Sequence, residues 1–432
     1  MNERQIAISV LMEISEKNAY NNIALRRALD AHPNSKQMQR AFVTELVNGT
    51  LRNRILIDHV INSFSRNPTS DMKPFITELL RTAVYQIMFM SKVPPSAAVN
   101  EAVKLAKRNG FEPLSGFVNG ILRNIVRAGD IKPWDSVPGK VQRTFPPAGD
   151  LSPDPVYLSI RYSFPLWLAR ALQDWLGDGA EKFCADSHIA PAVTVCVNTL
   201  KTNRDALAAE LEATGIICTA SETTDTCLHL RRVSNLTATD AYKKGHFFVI
   251  DENAYLAALA LRPAPGQTII DLCAAPGGKS FALAGLMQNE GKIISCDIHP
   301  HKIRLLEKMA SRLSISCIQA EVRDALVPNP DWQADAVLLD APCTGFGIIQ
   351  KKPDIKYTKT MKDVKELAKF QRALLTAAAT YVKHGGTLVY STCTVTTEEN
   401  EDNTAWFLEN HPYELLTQER IGGFFIARMV RK

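Results

Sequence analysis

The chain has no cysteine before Cys184, no Cys-x-x-Cys pair and no Cys/His spacing of the kind that holds zinc. Its nine cysteines are an odd number. A disulfide framework is therefore not expected, a reducing compartment is, and no metal is expected. No stretch approaches the roughly 20 uninterrupted apolar residues that a membrane span needs. The opening residues, MNERQIAISVLMEISEKNAY, carry charges inside their apolar pattern and lack a small-residue cleavage site. No secretory signal is expected, and the cytoplasm is the expected location. Internal repeats and low-complexity segments are absent too.

What is present is 432 residues, enough for two or three domains with their own cores. Charge is unevenly spread. Residues 1–150 hold 20 Lys and Arg against 13 Asp and Glu, while the rest hold 30 against 32. A basic front on a near-neutral body fits a polyanionic partner such as RNA, although a lysine-rich helical surface gives the same count.

Over residues 1–130 apolar residues recur at spacings of three and four, as in RQIAISVLMEI and KPFITELLRTAVYQIMFM. This predicts an all-α bundle, with Pro74, Pro94, Pro95, Gly110 and Gly129 punctuating it. Residues 131–155 turn proline- and glycine-rich (KPWDSVPGK, FPPAGDLSPDP) and read as a linker. Residues 156–245 mix helical stretches with the short strand AVTVCVNTL, which predicts a small α+β module. From 246 to 432 the apolar runs TIIDLC, KIISCDI, SISCIQA, DAVLLDA and GTLVYSTC alternate with helical stretches. That pattern predicts an α/β, Rossmann-like, doubly wound parallel sheet.

The segment DLCAAPGGKS, residues 271–280, follows one such strand and opens a helix. Gly278, Lys279 and Ser280 fit the end of a phosphate-binding P-loop, but Cys273 stands where its first glycine belongs. The G-x-G-x-x-G spacing of a dinucleotide site is also missing. What remains is an acid at a strand end, small residues and two glycines against which a ligand can lie. The helix start beyond offers free N–H groups to a carboxylate such as that of S-adenosylmethionine. Asp297, ending the second strand, is placed to accept from ribose hydroxyls.

Cys343 and Cys393 each sit just past a hydrophobic run, in DAPCTGFG and STCT. Such runs end at the carboxyl edge of an α/β sheet, where ligands bind. Two thiols beside a cofactor loop suit methyl transfer to carbon 5 of a pyrimidine. A thiolate adding to carbon 6 makes carbon 5 nucleophilic; a base must later remove the carbon 5 proton so that the thiol can leave. Asp340, three residues before Cys343, is a candidate to hydrogen-bond the cytosine edge. Which cysteine attacks is left open by the residues themselves.

These motifs resemble the RNA 5-methylcytosine methyltransferases of the Sun/Fmu (RsmB) and Nop2/NSUN group. DLCAAPGGKS is similar to their cofactor motif, DAPCTGFG to their proline-cysteine motif and STCT to their threonine-cysteine motif. KKPDIK at 351–356 and the terminal GGFFIARMVRK are similar as well. In front, RAFVTELVNGTLRN and GFVNGILRNIVR resemble the NusB-like helical domain of the bacterial enzymes, and VNTLKTNRDALAAELEATGI their middle RNA-binding piece. Thr344 stands where the family commonly has serine.

The resemblance implies a NusB-like RNA-binding domain over 1–130, an RNA-binding module over 156–245 and a class I S-adenosylmethionine-dependent catalytic domain over 246–432. It implies methylation of a cytosine in 16S ribosomal RNA, free or in a small-subunit particle; a monomer is expected, since nothing in the sequence demands more. Cys393 is implied as nucleophile and Cys343 as the group that helps release product, with Lys279 and Asp340 completing the catalytic set. The cofactor positions fall on Cys273, Ala274, Ala275, Pro276, Gly277, Gly278, Lys279, Asp297, Asp324 and Asp340, with Glu321 the alternative to Asp324. Lys351, Lys352, Lys356 and Lys359, clustered within nine residues, are expected to position RNA phosphates. Rival readings are another RNA such as tRNA, a P-loop nucleotide hydrolase, and an RNA-binding factor without catalysis.

Overall fold

The computed structural model describes residues 2–432 except 18, 34, 130–153, 190 and 234. Packing divides the chain into two units. One comprises residues 1–190 with Ile349–Thr358, the other Pro191–Ile348 with Lys359–Lys432.

The first unit is helical. Its main helices are Glu3–Lys17, Asn21–Asp30, Gln37–Arg52, Arg54–Phe64, Pro74–Phe89, Pro95–Arg108 and Ser115–Arg127. Their apolar stripes converge on one core that includes Ile8, Leu11, Leu46, Ile57, Leu80, Leu105 and Leu122. Removing each such side chain from water contributes about 1.5–3 kcal/mol. Pro74 and Pro95 turn out to open helices rather than merely separate them. The first helical position needs no N–H and suits the fixed proline φ. Three further helices, Pro155–Arg161, Leu166–Leu176 and Gly179–Asp186, also belong to this unit. Their sequence was expected within the α+β module. The linker expected over 131–155 lies, but for its last two residues, outside the described residues.

The second unit holds two sheets. The smaller has β1 (Val193–Val197), β2 (Ile217–Ala220), β3 (Cys227–Arg231) and β4 (Phe247–Val249), in the antiparallel order β2-β3-β1-β4. The larger has β5 (Thr268–Asp271), β6 (Lys292–Asp297), β7 (Ile318–Val322), β8 (Ala334–Asp340), β9 (Val382–Thr392), β10 (Tyr413–Ile421) and β11 (Phe424–Arg431). Its order is β10-β11-β9-β8-β5-β6-β7.

Strands β5 to β9 pair in parallel, as their apolar runs predict. The two faces of this sheet carry separate apolar cores, one with Ile269, Leu283 and Leu338, the other with Ile270, Leu339 and Tyr390. The hairpin β10–β11 adds antiparallel strands at one edge and makes the sheet mixed. Its outer strand is solvent-exposed almost throughout, so it lacks the buried run that marks the others. Strand order reverses between β5 and β8, the switch point at which an open sheet leaves a crevice beyond its carboxyl ends.

Candidate active site

The candidate residues lie at the carboxyl ends of five strands, β5 to β9. The turn after β5 is pinned by Leu272 N–H donating to the Leu338 carbonyl (3.0 Å) and Ala274 N–H to the Cys296 carbonyl (2.8 Å). Gly277 then adopts a φ of +108°, and a Cβ there would run into the Phe281 ring and Leu306. Only glycine fits that turn, which hands the chain to the helix Gly278–Leu286 with its first N–H groups free of helical partners. Beside it, Asp271 is wholly buried. Its Oδ2 accepts from Ser280 Oγ (2.7 Å), and Ser280 Oγ accepts from Ser295 Oγ (2.8 Å). Burial pushes the Asp271 carboxyl up to about 7.

Asp340 ends β8 opposite Ser391 of β9. Its Oδ1 accepts from Ser391 Oγ (2.9 Å) and its Oδ2 from Lys279 Nζ (2.6 Å). Burial works against the Lys279 charge, but the Asp340 carboxylate prevails and holds the ammonium above its usual range. Asp297 at the end of β6 is 8% exposed and accepts from the His299 N–H through Oδ1 (2.9 Å). Arg323 N–H donates to the Asp297 carbonyl (3.1 Å), which sets Asp324 at the neighbouring strand end. Asp324 is exposed and accepts from the Leu326 N–H (2.9 Å), whereas the Glu321 carboxylate is engaged by Gln319 Nε2 (2.6 Å).

The two cysteines are 50 residues apart in sequence, yet their Sγ atoms lie 3.3 Å apart. Cys393 N–H also points at Cys343 Sγ (3.3 Å), and Gly347 N–H donates to the Cys393 carbonyl (3.0 Å). The sulfur contact with Cys393, burial, and the charges of Cys393 and Glu399 push the Cys343 thiol up. Around these thiols lies a buried polar network that the sequence motifs did not flag, centred on Glu399, Gln371 and Tyr390.

The residues fit a cationic nucleoside cofactor. Asp271 Oδ1 is buried without a protein partner, and the carboxylates of Asp297, Asp324 and Asp340 mark three further strand ends. A sulfonium and an ammonium suit that acidic edge, while the free N–H groups at the helix start suit a carboxylate.

The phosphate-binding expectation needs one correction. Lys351 and Lys352 are exposed, and Lys359 is half-buried. Lys356, however, has no exposed surface. Its Nζ donates to the carbonyls of Arg52 (3.0 Å) and Tyr162 (3.2 Å) and lies 4.5 Å from the Phe164 ring centre. It cannot reach a phosphate. It instead sews Ile349–Thr358 into the helical unit, helped by Tyr357, whose hydroxyl donates to the carbonyls of Leu51 (2.9 Å) and Ser163 (3.1 Å).

Burial pushes the Lys356 ammonium down to about 7 and, joined by the Lys356 charge, pushes His188 down to about 4. Both groups bind fewer protons folded than unfolded, His188 from about pH 4 to 6.5 and Lys356 from about pH 7 to 10.5. Stability therefore rises with pH through both windows. The urea midpoint of the wild type is expected to climb between pH 7 and 9, by on the order of 1 kcal/mol or more in stability. In Lys356→Met that climb should be lost. An identical climb in both proteins would remove Lys356 as its source.

Residues 258–429 match the model of the 16S rRNA methyltransferase RsmB/F family. Residues 1–127 match the NusB family, and 164–237 the ferredoxin-like domain of RsmF/B-like methyltransferases. The chain is 37% identical, over 95% of its length and 88% of the relative's, to a probable ribosomal RNA small subunit methyltransferase B of Bacillus subtilis. The chain belongs to the RsmB/F methyltransferase family. It is 35% identical to the corresponding probable methyltransferase of Synechocystis, over 94% of this chain and 89% of that one. The crystal structure of PH0851 superposes with a TM-score of 0.78 at 28% identity, covering 100% of this chain and 99% of that one. As a member of this family the protein is an S-adenosylmethionine-dependent rRNA methyltransferase. Among the described residues no helix is long and apolar enough to cross a membrane.

Proposed function

We propose that the protein methylates carbon 5 of a cytosine in 16S ribosomal RNA through a transient bond between Cys393 Sγ and carbon 6 of the base. The observation that supports this most is the 3.3 Å thiol pair beside the Lys279–Asp340 ion pair at the sheet's switch point. Carbon 5 of cytosine does not attack electrophiles unaided, so one thiol must add to the ring while a second group waits to clear the product.

Cys393 Sγ, as thiolate, gives its electron pair to carbon 6. The ring electrons displaced reach carbon 5, which becomes enamine-like. S-adenosylmethionine, held against Asp271, Gly277, Gly278, Asp297 and Asp324, supplies an electrophilic methyl when bound. Asp340, oriented by Lys279 and Ser391, faces the base edge and stabilises the added state. Cys343 takes the carbon 5 proton, the ring double bond returns, and Cys393 leaves as thiolate. Attack from the side of the ring requires an unstacked base, so open or single-stranded RNA is the substrate form.

Bisulfite sequencing of 16S and transfer RNA after incubation with the protein and S-adenosylmethionine tests this reading. One protected cytosine in 16S RNA is the expected outcome. Protection only in transfer RNA moves the substrate, and methylation without any protected cytosine overturns the carbon 5 chemistry.

A further inference from the structure

Glu399 is fully buried and lies in none of the motifs discussed so far. Its Oε1 accepts from the Thr344 N–H and from Gln371 Nε2, both at 2.9 Å. Its Oε2 accepts from Thr344 Oγ1 (2.5 Å) and Thr396 Oγ1 (2.9 Å). Among the described residues no ion pair to Glu399 is found, so its burial is compensated by hydrogen bonds alone. A buried charge of this kind is costly, and an apolar residue would serve packing better.

The donors identify what the carboxylate joins. Thr344 follows Cys343 directly, and Thr396 follows Cys393 by three residues. The two loops also meet through Thr344 Oγ1 and Thr394 Oγ1, 2.7 Å apart. Gln371, on the buried face of the helix Met361–Tyr381, spans both sides: its Nε2 donates to the Pro342 carbonyl (2.9 Å) as well as to Glu399. Tyr390 hydroxyl fixes the Glu399 carbonyl (2.5 Å). Pro342 and Thr344 flank Cys343 directly, and Thr394 and Thr396 follow Cys393 within three residues.

We infer that Glu399 is a positioning residue whose carboxylate ties the Cys343 loop to the Cys393 loop and so sets the thiol-to-thiol distance. This rests on the two-cysteine reading above for its catalytic meaning, but the geometry it predicts can be read without any reaction. Glutamine at 399 keeps the shape, accepts from Thr344 N–H and Gln371 through its carbonyl, and donates to threonine hydroxyls that can turn to accept. Alanine removes the tie.

The test uses the full-length protein as wild type, Glu399→Gln, Glu399→Ala and a Cys343→Ala control. Bridging of adjacent thiols by dibromobimane, read as fluorescence above the control, reports the sulfur pair. Methylation of 16S RNA reports turnover, and S-adenosylmethionine affinity reports a folded cofactor site. Glu399→Ala is expected to lose most bridging and about 100-fold in kcat, the scale of a 1 Å misplacement, with KM little changed. Glu399→Gln should keep bridging and stay within about threefold of wild-type kcat on the same argument. Wild-type bridging and turnover in Glu399→Ala would overturn the inference, as would a Glu399→Gln variant that binds cofactor normally yet behaves like the alanine variant. If instead the wild type leaves no 5-methylcytosine while bridging depends on Glu399 as stated, the positioning role stands and the proposed chemistry fails.

Discussion

Replacing Cys393 by alanine is expected to lower methylation at least about 10⁴-fold, the scale on which loss of an attacking side chain is felt in covalent catalysis. On the proposed mechanism the base is not activated without a thiolate at carbon 6. Cys343 is the nearest other sulfur, but with the Cys393 side chain gone its burial and the Glu399 charge still push its thiol up. Cys393→Ser should be nearly as inactive, since an alcohol is scarcely ionised where a thiol is.

The loss should be confined to chemistry. The backbone bond from Gly347 to the residue 393 carbonyl does not depend on the side chain, and Thr392 Oγ1 keeps its bond to Asn400 Oδ1 (2.6 Å). The Lys279–Asp340–Ser391 contacts are likewise untouched. Affinity for S-adenosylmethionine, measured by calorimetry, should therefore stay within about threefold, well under 1 kcal/mol. Methylation surviving at more than a few percent of wild type would move the nucleophile elsewhere.

Cys343 and Cys393 were both legible as candidates because each follows an apolar strand run within a few residues, although the residues alone left open which of the two attacks. DLCAAPGGKS was legible too, because the glycine turn, helix start and lysine are adjacent. The α/β alternation from 246 onward was legible for the same reason, since parallel strands buried on both faces write themselves as apolar runs. Strand β10 was not, because an edge strand facing solvent carries Glu414, Gln418, Glu419 and Arg420 and shows no apolar run. Glu399 escaped notice since its meaning depends on Thr344, 55 residues earlier, and on Gln371, 28 residues earlier. Lys356 misled for a different reason. A lysine in a run of lysines reads as solvated or phosphate-facing, and nothing local shows that the carbonyls of Arg52 and Tyr162 are waiting for it. Local chemistry was readable; partnerships across hundreds of residues were not.

The second large effect is expected from Cys343→Ala, which should turn a transient intermediate into a trapped one. After methyl transfer carbon 5 carries both a hydrogen and the new methyl, and the Cys393–carbon 6 bond breaks only when that hydrogen leaves as a proton. With its sulfur 3.3 Å from Cys393 Sγ, Cys343 is the group at hand. On the proposed mechanism its ionisation is also timed by the reaction. The two Cys393 influences that push the Cys343 thiol up, the sulfur hydrogen bond and the Cys393 charge, both vanish once Cys393 is bonded to carbon. Cys343 thus becomes easier to deprotonate when a base is needed, and not before. Radiolabelled 16S RNA mixed with Cys343→Ala and S-adenosylmethionine should give a protein–RNA band that resists denaturing electrophoresis. The double variant Cys343→Ala/Cys393→Ala should give none, because the bond retained is the one Cys393 makes. In the wild type, release should quicken as pH rises, since the acting form is the thiolate. Free methylated RNA appearing from Cys343→Ala at the wild-type rate, with no retained band, would assign release to another base.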